Sequence, residues 1–178
     1  MGTLRPYRPA DFDALVLLVK ELFDHHRRLQ GAEPLSQEEA EATARYWSTQ
    51  PEAEVLLYEE AGEVVVAARL RWEQGCPFLE DLVVRAGRRG QGLGTATLAA
   101  LEAHVRERGA DALFLSRVWL GNRAALDFYL RRGYDLLNTI ELRKDFTADR
   151  RGRPVRLLGR TLYLAGNVPL EDQESISK

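Results

Sequence analysis

Gly90, Gly92 and Gly94 stand at alternate positions inside Arg88-Arg89-Gly90-Gln91-Gly92-Leu93-Gly94-Thr95. An apolar run, Phe78 to Val84, precedes them, and a helix-like run from Thr95 to Arg108 follows. Strand, glycine turn and helix in that order make a phosphate site. Backbone N–H groups converge at the positive helix end, and the missing Cβ atoms let a ligand come close. Arg88 and Arg89 can add charge-assisted bonds to phosphate oxygens. Two common phosphate motifs fail on spacing. A Walker A loop needs Gly-Lys-Ser/Thr, and no lysine lies between Lys20 and Lys144. A dinucleotide fingerprint, Gly-x-Gly-x-x-Gly, needs glycine where Thr95 stands.

A second constellation lies downstream: Asn122-Arg-Ala-Ala125-Leu-Asp-Phe128-Tyr129-Leu-Arg131-Arg132-Gly133-Tyr134. Asn122 suits a helix N-cap. Asn122, Ala125 and Tyr129 share one helix face, with Phe128 turned to the core. Arg131 and Arg132 complement the negative helix end, and Gly133 suits a left-handed position after it. A third feature is the acid pair Glu80-Asp81 inside the apolar run 78–84, an unusual place for charge. Side chains alternate along a strand, so one of the two acids is expected in a given face.

Arg89-x-x-Gly92-x-Gly94 resembles the acyl-CoA signature of the GNAT (Gcn5-related) N-acetyltransferases, and Asn122 to Tyr134 resembles the family's later motif. The likeness covers about residues 3 to 145. Phe78 to Val84 and Phe128 to Gly133 are most similar to the spermidine/spermine and thialysine acetyltransferase branch.

The resemblance implies an enzyme moving acetyl from acetyl-CoA to a primary amine of a small molecule or peptide by direct attack. It places Tyr129 as the proton donor to the leaving thiolate and Glu80 as the base. Asp81, or a water relay, is the other candidate base, and an ion pair from Glu80 to Arg69 or Arg71 is the competing assignment. Backbone groups of Leu82, Val83 and Val84 would take the pantetheine arm. Arg89, Gly90, Gln91, Gly92, Leu93, Gly94 and Thr95 would bind the pyrophosphate, and Asn122 would bond the pantetheine or position the acceptor. In such enzymes the acceptor comes over the first two helices, so Glu80, Asp81, His25 and His26 are the expected substrate contacts. The segment Glu21, Asp24, His25, His26, Arg27, Arg28 is too basic for a polycation and fits an amine with a carboxylate nearby. No metal is implied, and a homodimer is a family expectation. A non-enzymatic acyl-CoA-binding regulator on the same fold is the alternative.

These motifs need elements to hold them. Thr3–Arg8 is predicted as an edge strand. Asp11 is expected to cap a helix with Phe12, Leu15, Val16, Val19, Leu22 and Phe23 on one face, and Ser36-x-x-Glu39 forms a capping box for the next. Glu54–Glu59 and Glu63–Glu73 read as a hairpin around Glu60-Ala61-Gly62. Cys76-Pro77 reads as a turn and Phe78–Val84 as a strand. Ala112–Val118 should run parallel to 78–84, because a helix joins them. Tyr134–Arg143 and Val155–Leu164 are predicted as the last strands, with a polar loop at Thr147–Pro154. The class is α/β, a mixed central sheet flanked by helices and, by resemblance, a GNAT fold. Residues 1–165 are expected to form a single domain, and 166–178 a polar tail.

Composition agrees. The chain has 178 residues, 45% of them apolar, and a formal net charge of −2, with no support for nucleic-acid binding. No apolar run reaches the roughly 20 residues that span a bilayer, and no signal peptide is evident, so a cytoplasmic protein is expected. Cys76 is the single cysteine, which excludes an intrachain disulfide or a cysteine-based metal site.

Overall fold

The computed structural model describes residues 2–146 and 151–165. Its backbone groups into two compact units, residues 1–117 and 118–178.

The first unit is a five-stranded mixed sheet with helices packed on it. In chain order it contains β1 (Thr3–Pro6), α1 (Phe12–Leu29), α2 (Gln37–Thr49), β2 (Ala53–Glu60), β3 (Glu63–Glu73), β4 (Cys76–Val84), α3 (Leu93–Glu107) and β5 (Phe114–Leu115). The sheet order is β1-β2-β3-β4-β5. Successive pairs are antiparallel except β4 and β5, which are parallel. The period-two pattern of β2 and β3 sorts the core onto two faces. Val55, Leu57 and Ala67 pack with Leu15, Leu18, Val19 and Trp47 from α1 and α2. Tyr58 and Val66 pack with Leu93 of α3. Each leucine buried this fully contributes about 1.5–3 kcal/mol.

Local signals place most elements. The Ser36 box forms, Glu39 N–H to Ser36 Oγ at 3.1 Å and Ser36 N–H to Glu39 Oε2 at 2.7 Å. Ala61 and Gly62, both at positive φ, make the two-residue hairpin turn. Asp11 precedes α1 but does not cap it. Its carboxylate instead accepts from the Arg8 N–H and the Arg5 guanidinium, each at 2.8 Å.

Other boundaries differ from those expected. Cys76-Pro77 lies within β4, because Gln74-Gly75 with positive φ already makes the turn. Helix α3 opens at Leu93, two residues early, because Gly92 takes the left-handed N-cap conformation, φ 80°. β5 is reduced to two residues.

The second unit contains α4 (Arg123–Leu130) and a hairpin of β6 (Arg151–Leu157) and β7 (Arg160–Ala165). The expected single strand 155–164 is thus parts of two, because Leu158 and Gly159 both adopt positive φ and turn the chain. The expected strand 134–143 is not formed. Its alternating pattern suits a pleated face, but a strand also needs a ladder partner, and none pairs with it among the described residues. Leu136 there is 92% exposed. Residues 147–150 of the predicted loop and all of the tail at 166–178 lie outside the described residues, while 151–154 belong to strand β6 rather than to a loop, paired with β7. No helix among the described residues is long and apolar enough to cross a membrane.

Candidate active site

Strand β4 carries the acid pair through an irregularity. Arg69 of β3 is opposite Asp81, yet the next residue, Leu70, is opposite Leu79. Glu80 is the extra residue of a β-bulge, which breaks the alternation of side chains at that point. Both acids therefore reach the same arginine. The Arg69 guanidinium meets Glu80 Oε2 at 2.5 Å and Asp81 Oδ2 at 3.1 Å. The expectation that only one of them could occupy a face is corrected by this bulge.

Arg71, two residues along β3, donates from Nε to the other Glu80 oxygen at 2.6 Å and pairs with Glu73 as well. The ion pairs to Arg69 and Arg71 are thus both present. Aromatic rings hold the two arginines: Trp47 and Tyr46 of α2 lie 5.3 and 5.8 Å from the Arg69 guanidinium, and Phe78 lies 5.1 Å from that of Arg71. Burial pushes the Asp81 carboxyl up to about 6, with Glu80 adding to the rise and Arg69 opposing it.

Beyond the bulge, one edge of β4 is open. The Arg85 N–H donates to Val65 O at 2.9 Å, so Val66–Val84 and Ala68–Leu82 are pairs without mutual hydrogen bonds. The N–H and C=O groups of Leu82 and Val84 face away from β3, and the Val84 carbonyl accepts the Arg89 Nε–H at 3.0 Å; those of Val83 turn to Ala67, so the expected backbone contact from Val83 is corrected by the register. No described strand takes up those of Leu82 and Val84. β5 stops at Leu115 beside Leu79, with a last bond from Ser116 N–H to Leu79 O at 2.9 Å. β4 therefore runs on from Glu80 to Val84 past the end of β5.

The open edge runs into the glycine turn. Gly90 and Gly92 adopt φ 76° and 80°, a region that penalises a Cβ. A Cβ at either would meet nothing within 4 Å, so there is open space beside both. The first bond of α3 is Ala96 N–H to Gly92 O. The amides of Leu93 and Gly94, ahead of that bond, lack intrahelical acceptors, and no side chain caps the helix.

The two arginines differ. Arg88 is spent on Glu60, Glu63 and Gln91. The Arg89 side chain donates from Nε to Val84 O at 3.0 Å, and its backbone N–H donates to Ala86 O at 3.4 Å. Of the two flanking arginines, Arg88 is held by the acids of the β2–β3 hairpin, Glu60 and Glu63.

In the second unit, Asn122 caps α4 as expected, its side chain accepting the Ala125 N–H at 3.3 Å. Gly133, φ 83°, closes the helix in a Schellman motif, with Gly133 N–H to Leu130 O and Tyr134 N–H to Tyr129 O. The Tyr129 ring is wedged edge-on between Phe128 and Tyr134, at 5.1 and 5.8 Å. Phe128 is half-buried rather than in a core, covered by the Arg132 guanidinium at 3.8 Å.

Most of the expected acceptor segment on α1 is structural. Asp24 accepts from Lys20 and from the Leu35 N–H, and Arg27 ties Glu39, Glu33 O and Pro34 O. Glu21 accepts the Ala86 N–H at 2.6 Å, a tie that nothing in the sequence signals. His26 is half-buried, and burial first, then His25, lowers its proton affinity. No described trio of His, Cys, Asp or Glu is placed to hold a metal.

Comparison with known proteins bears on what these parts do. A family model described as acetyltransferase (GNAT) family matches residues 19–134. No curated protein matches the sequence. Among solved structures, the chain resembles an acetyltransferase from Thermus thermophilus at 22% identity and TM-score 0.58, covering 92% of this chain and 94% of that one. A transcriptional regulator from Bacillus halodurans aligns at 17% identity and TM-score 0.61, covering 82% and 100%. An aminoglycoside N-acetyltransferase in complex with CoA aligns at 13% identity and TM-score 0.56, covering 83% and 95%.

Proposed function

The chain belongs to the acetyltransferase (GNAT) family, and from that premise we propose that it moves acetyl from acetyl-CoA to a primary amine of a small molecule or peptide. The observation that carries this reading is the edge of β4 at Leu82 and Val84, which no described strand pairs, leading into a glycine turn whose helix has no side-chain cap. A peptide-like pantetheine arm adds to such an edge as a strand would. The amides of Gly90, Gln91, Gly92, Leu93, Gly94 and Thr95 and the outer guanidinium nitrogens of Arg89 suit a pyrophosphate. Asn122 keeps its amide NH2 for the pantetheine or the acceptor. The family match runs across residues 117 and 118, which supports one acetyltransferase domain built from both units.

Acetyl-CoA supplies an activated thioester; the chain supplies proton handling. A lysine-like amine has a pKa near 10.4, so about one molecule in a few thousand is neutral at pH 7. A carboxylate of the Glu80-Asp81 pair accepts the amine proton, and the Tyr129 phenol, neutral at pH 7, returns one to the leaving sulfur. The motif likeness to the spermidine/spermine and thialysine branch supports these roles. Its polyamine acceptor is disfavoured by Arg69 and Arg71, which offset the negative charge of the acids. His25 and His26 stay as candidate acceptor contacts, with an amine bearing a carboxylate as the favoured class. A homodimer belongs to the same proposal, and a light-scattering mass of one chain would remove it.

The test is a thermal shift with acetyl-CoA, CoA, ATP and NAD, followed by thiol release with lysine, spermidine, an alanyl peptide and an aminoglycoside. Stabilisation by acetyl-CoA with thiol release for one amine is expected; ATP or NAD binding in its place would overturn the reading. The second reading, an acyl-CoA-binding regulator, is favoured by the engagement of both Glu80 oxygens. It predicts stabilisation with no turnover.

A further inference from the structure

Resting on the acetyl-transfer reading, we propose that Asp81 receives the proton of the acceptor amine, while Glu80 is a positioning residue that braces Arg69 and Arg71.

The bulge gives the two acids different surroundings. Glu80 has both carboxylate oxygens in ion pairs, Oε1 with Arg71 and Oε2 with Arg69. A proton placed on either Glu80 oxygen would weaken a charge-assisted bond that this oxygen already accepts. Asp81 holds Arg69 through Oδ2 alone, and its Oδ1 has no hydrogen-bond partner among the described residues. The Asp81 side chain is 17% exposed, which leaves that oxygen a path to a small ligand or a water. Burial separately favours its neutral form, the state it must reach after taking a proton. The charged groups acting on Asp81 are Arg69 from β3 and Glu80 from β4; the helices packed on β4, α1 and α3, add none.

The roles divide accordingly. Arg69 is fixed from behind by the Trp47 and Tyr46 rings and from in front by Glu80, so it holds one Asp81 oxygen and leaves the other for the amine. The ammonium gives one proton to Asp81. The nitrogen then forms a bond to the thioester carbonyl carbon as the C–S bond breaks, and its second proton leaves to water. Tyr129 protonates the thiolate and recovers its proton from water. Asp81 releases its own proton to solvent, so each turnover yields one amide, one thiol and one proton.

The full chain and its variants Asp81→Asn, Asp81→Glu and Glu80→Gln are compared by thiol release with the four amines across about pH 5 to 9, and by calorimetry with acetyl-CoA. The wild-type kcat/KM should climb through a limb near the Asp81 value of about 6. Asp81→Asn should lose about 100-fold in kcat together with that limb, the usual worth of a general base. Asp81→Glu should recover part of the rate and keep a displaced limb. Glu80→Gln should lose less than about tenfold and keep the limb. Acetyl-CoA affinity, which reports folding, should stay within about twofold throughout. A Glu80→Gln chain without the limb, or an Asp81→Asn chain with wild-type kcat and limb, overturns this assignment and leaves acetyl transfer standing. A wild-type chain that neither binds acetyl-CoA nor releases thiol overturns both.

Discussion

The Glu21 carboxylate on α1 accepts the N–H of Ala86 at 2.6 Å, so the first helix grips the root of the glycine turn. Ala86 is joined to the turn through a single 3-10 turn, Ala86–Arg88, and the amides proposed to hold phosphate follow at once. Glu21→Ala should weaken acetyl-CoA binding by about 1 kcal/mol, a roughly fivefold rise in Kd, the usual worth of one hydrogen bond. Glu21→Gln keeps an acceptor oxygen and should bind within about twofold of wild type. Titration calorimetry decides it; equal loss in both variants would point to the charge of Glu21 rather than to its bond.

Arg88 and Arg89 are adjacent and should fail differently. Arg89 is anchored through Nε to Val84 O, which leaves its outer nitrogens to meet phosphate. Arg89→Ala should raise the Kd for acetyl-CoA about tenfold or more, the range for bonds to charged groups. Arg88 pairs with Glu60 and Glu63, partly exposed pairs worth about 0–1 kcal/mol. Arg88→Ala should lower the unfolding midpoint slightly and change Kd little. Paired calorimetry and urea unfolding on both variants check this.

Tyr129→Phe separates chemistry from binding. The ring stays wedged between Phe128 and Tyr134, so packing is kept and only the hydroxyl is lost. kcat should fall about 100-fold, within the range for a lost general acid, with acetyl-CoA affinity unchanged. Unchanged turnover would remove Tyr129 from the reaction.

Asp81 should make stability depend on pH. A carboxyl raised in the fold adds stability that is complete below its unfolded pKa and is lost as pH rises through its folded value. For Asp81 that loss falls between the ordinary carboxyl range and about 6, because burial penalises the charged form. At pH 8, Asp81→Asn should therefore stabilise the chain by up to about 3 kcal/mol, and the gain should vanish near pH 4. Urea midpoints at the two pH values measure it. A destabilised Asp81→Asn at pH 8 would mean that the Arg69 ion pair outweighs burial.

The sequence by itself determined the parts whose causes are local. The Ser36 capping box, the Asn122 cap and the Gly133 terminus all rest on side chains within a few residues of the backbone they satisfy. The hairpin at Ala61-Gly62 and the glycine turn before α3 are legible for the same reason, since positive φ selects glycine. The family likeness of 78–134 followed from those same residues.

What only the tertiary structure decided involves ladders and distant partners. A bulge is a mismatch between two strands, so it cannot be read from β4 alone, and it brought Glu80 and Asp81 to one arginine against the alternation rule. The end of the β4–β5 pairing at Leu79 and Leu115, which opens the edge at Leu82 and Val84, is equally a property of the pair. That Arg88 rather than Arg89 is tied to acids depended on Glu60 and Glu63, more than 20 residues away. Tyr134 to Arg143 has a strand's pattern and no partner among the described residues. Side-chain pattern states a preference for a pleated face, and hydrogen bonding between chain segments distant in sequence decides whether one forms.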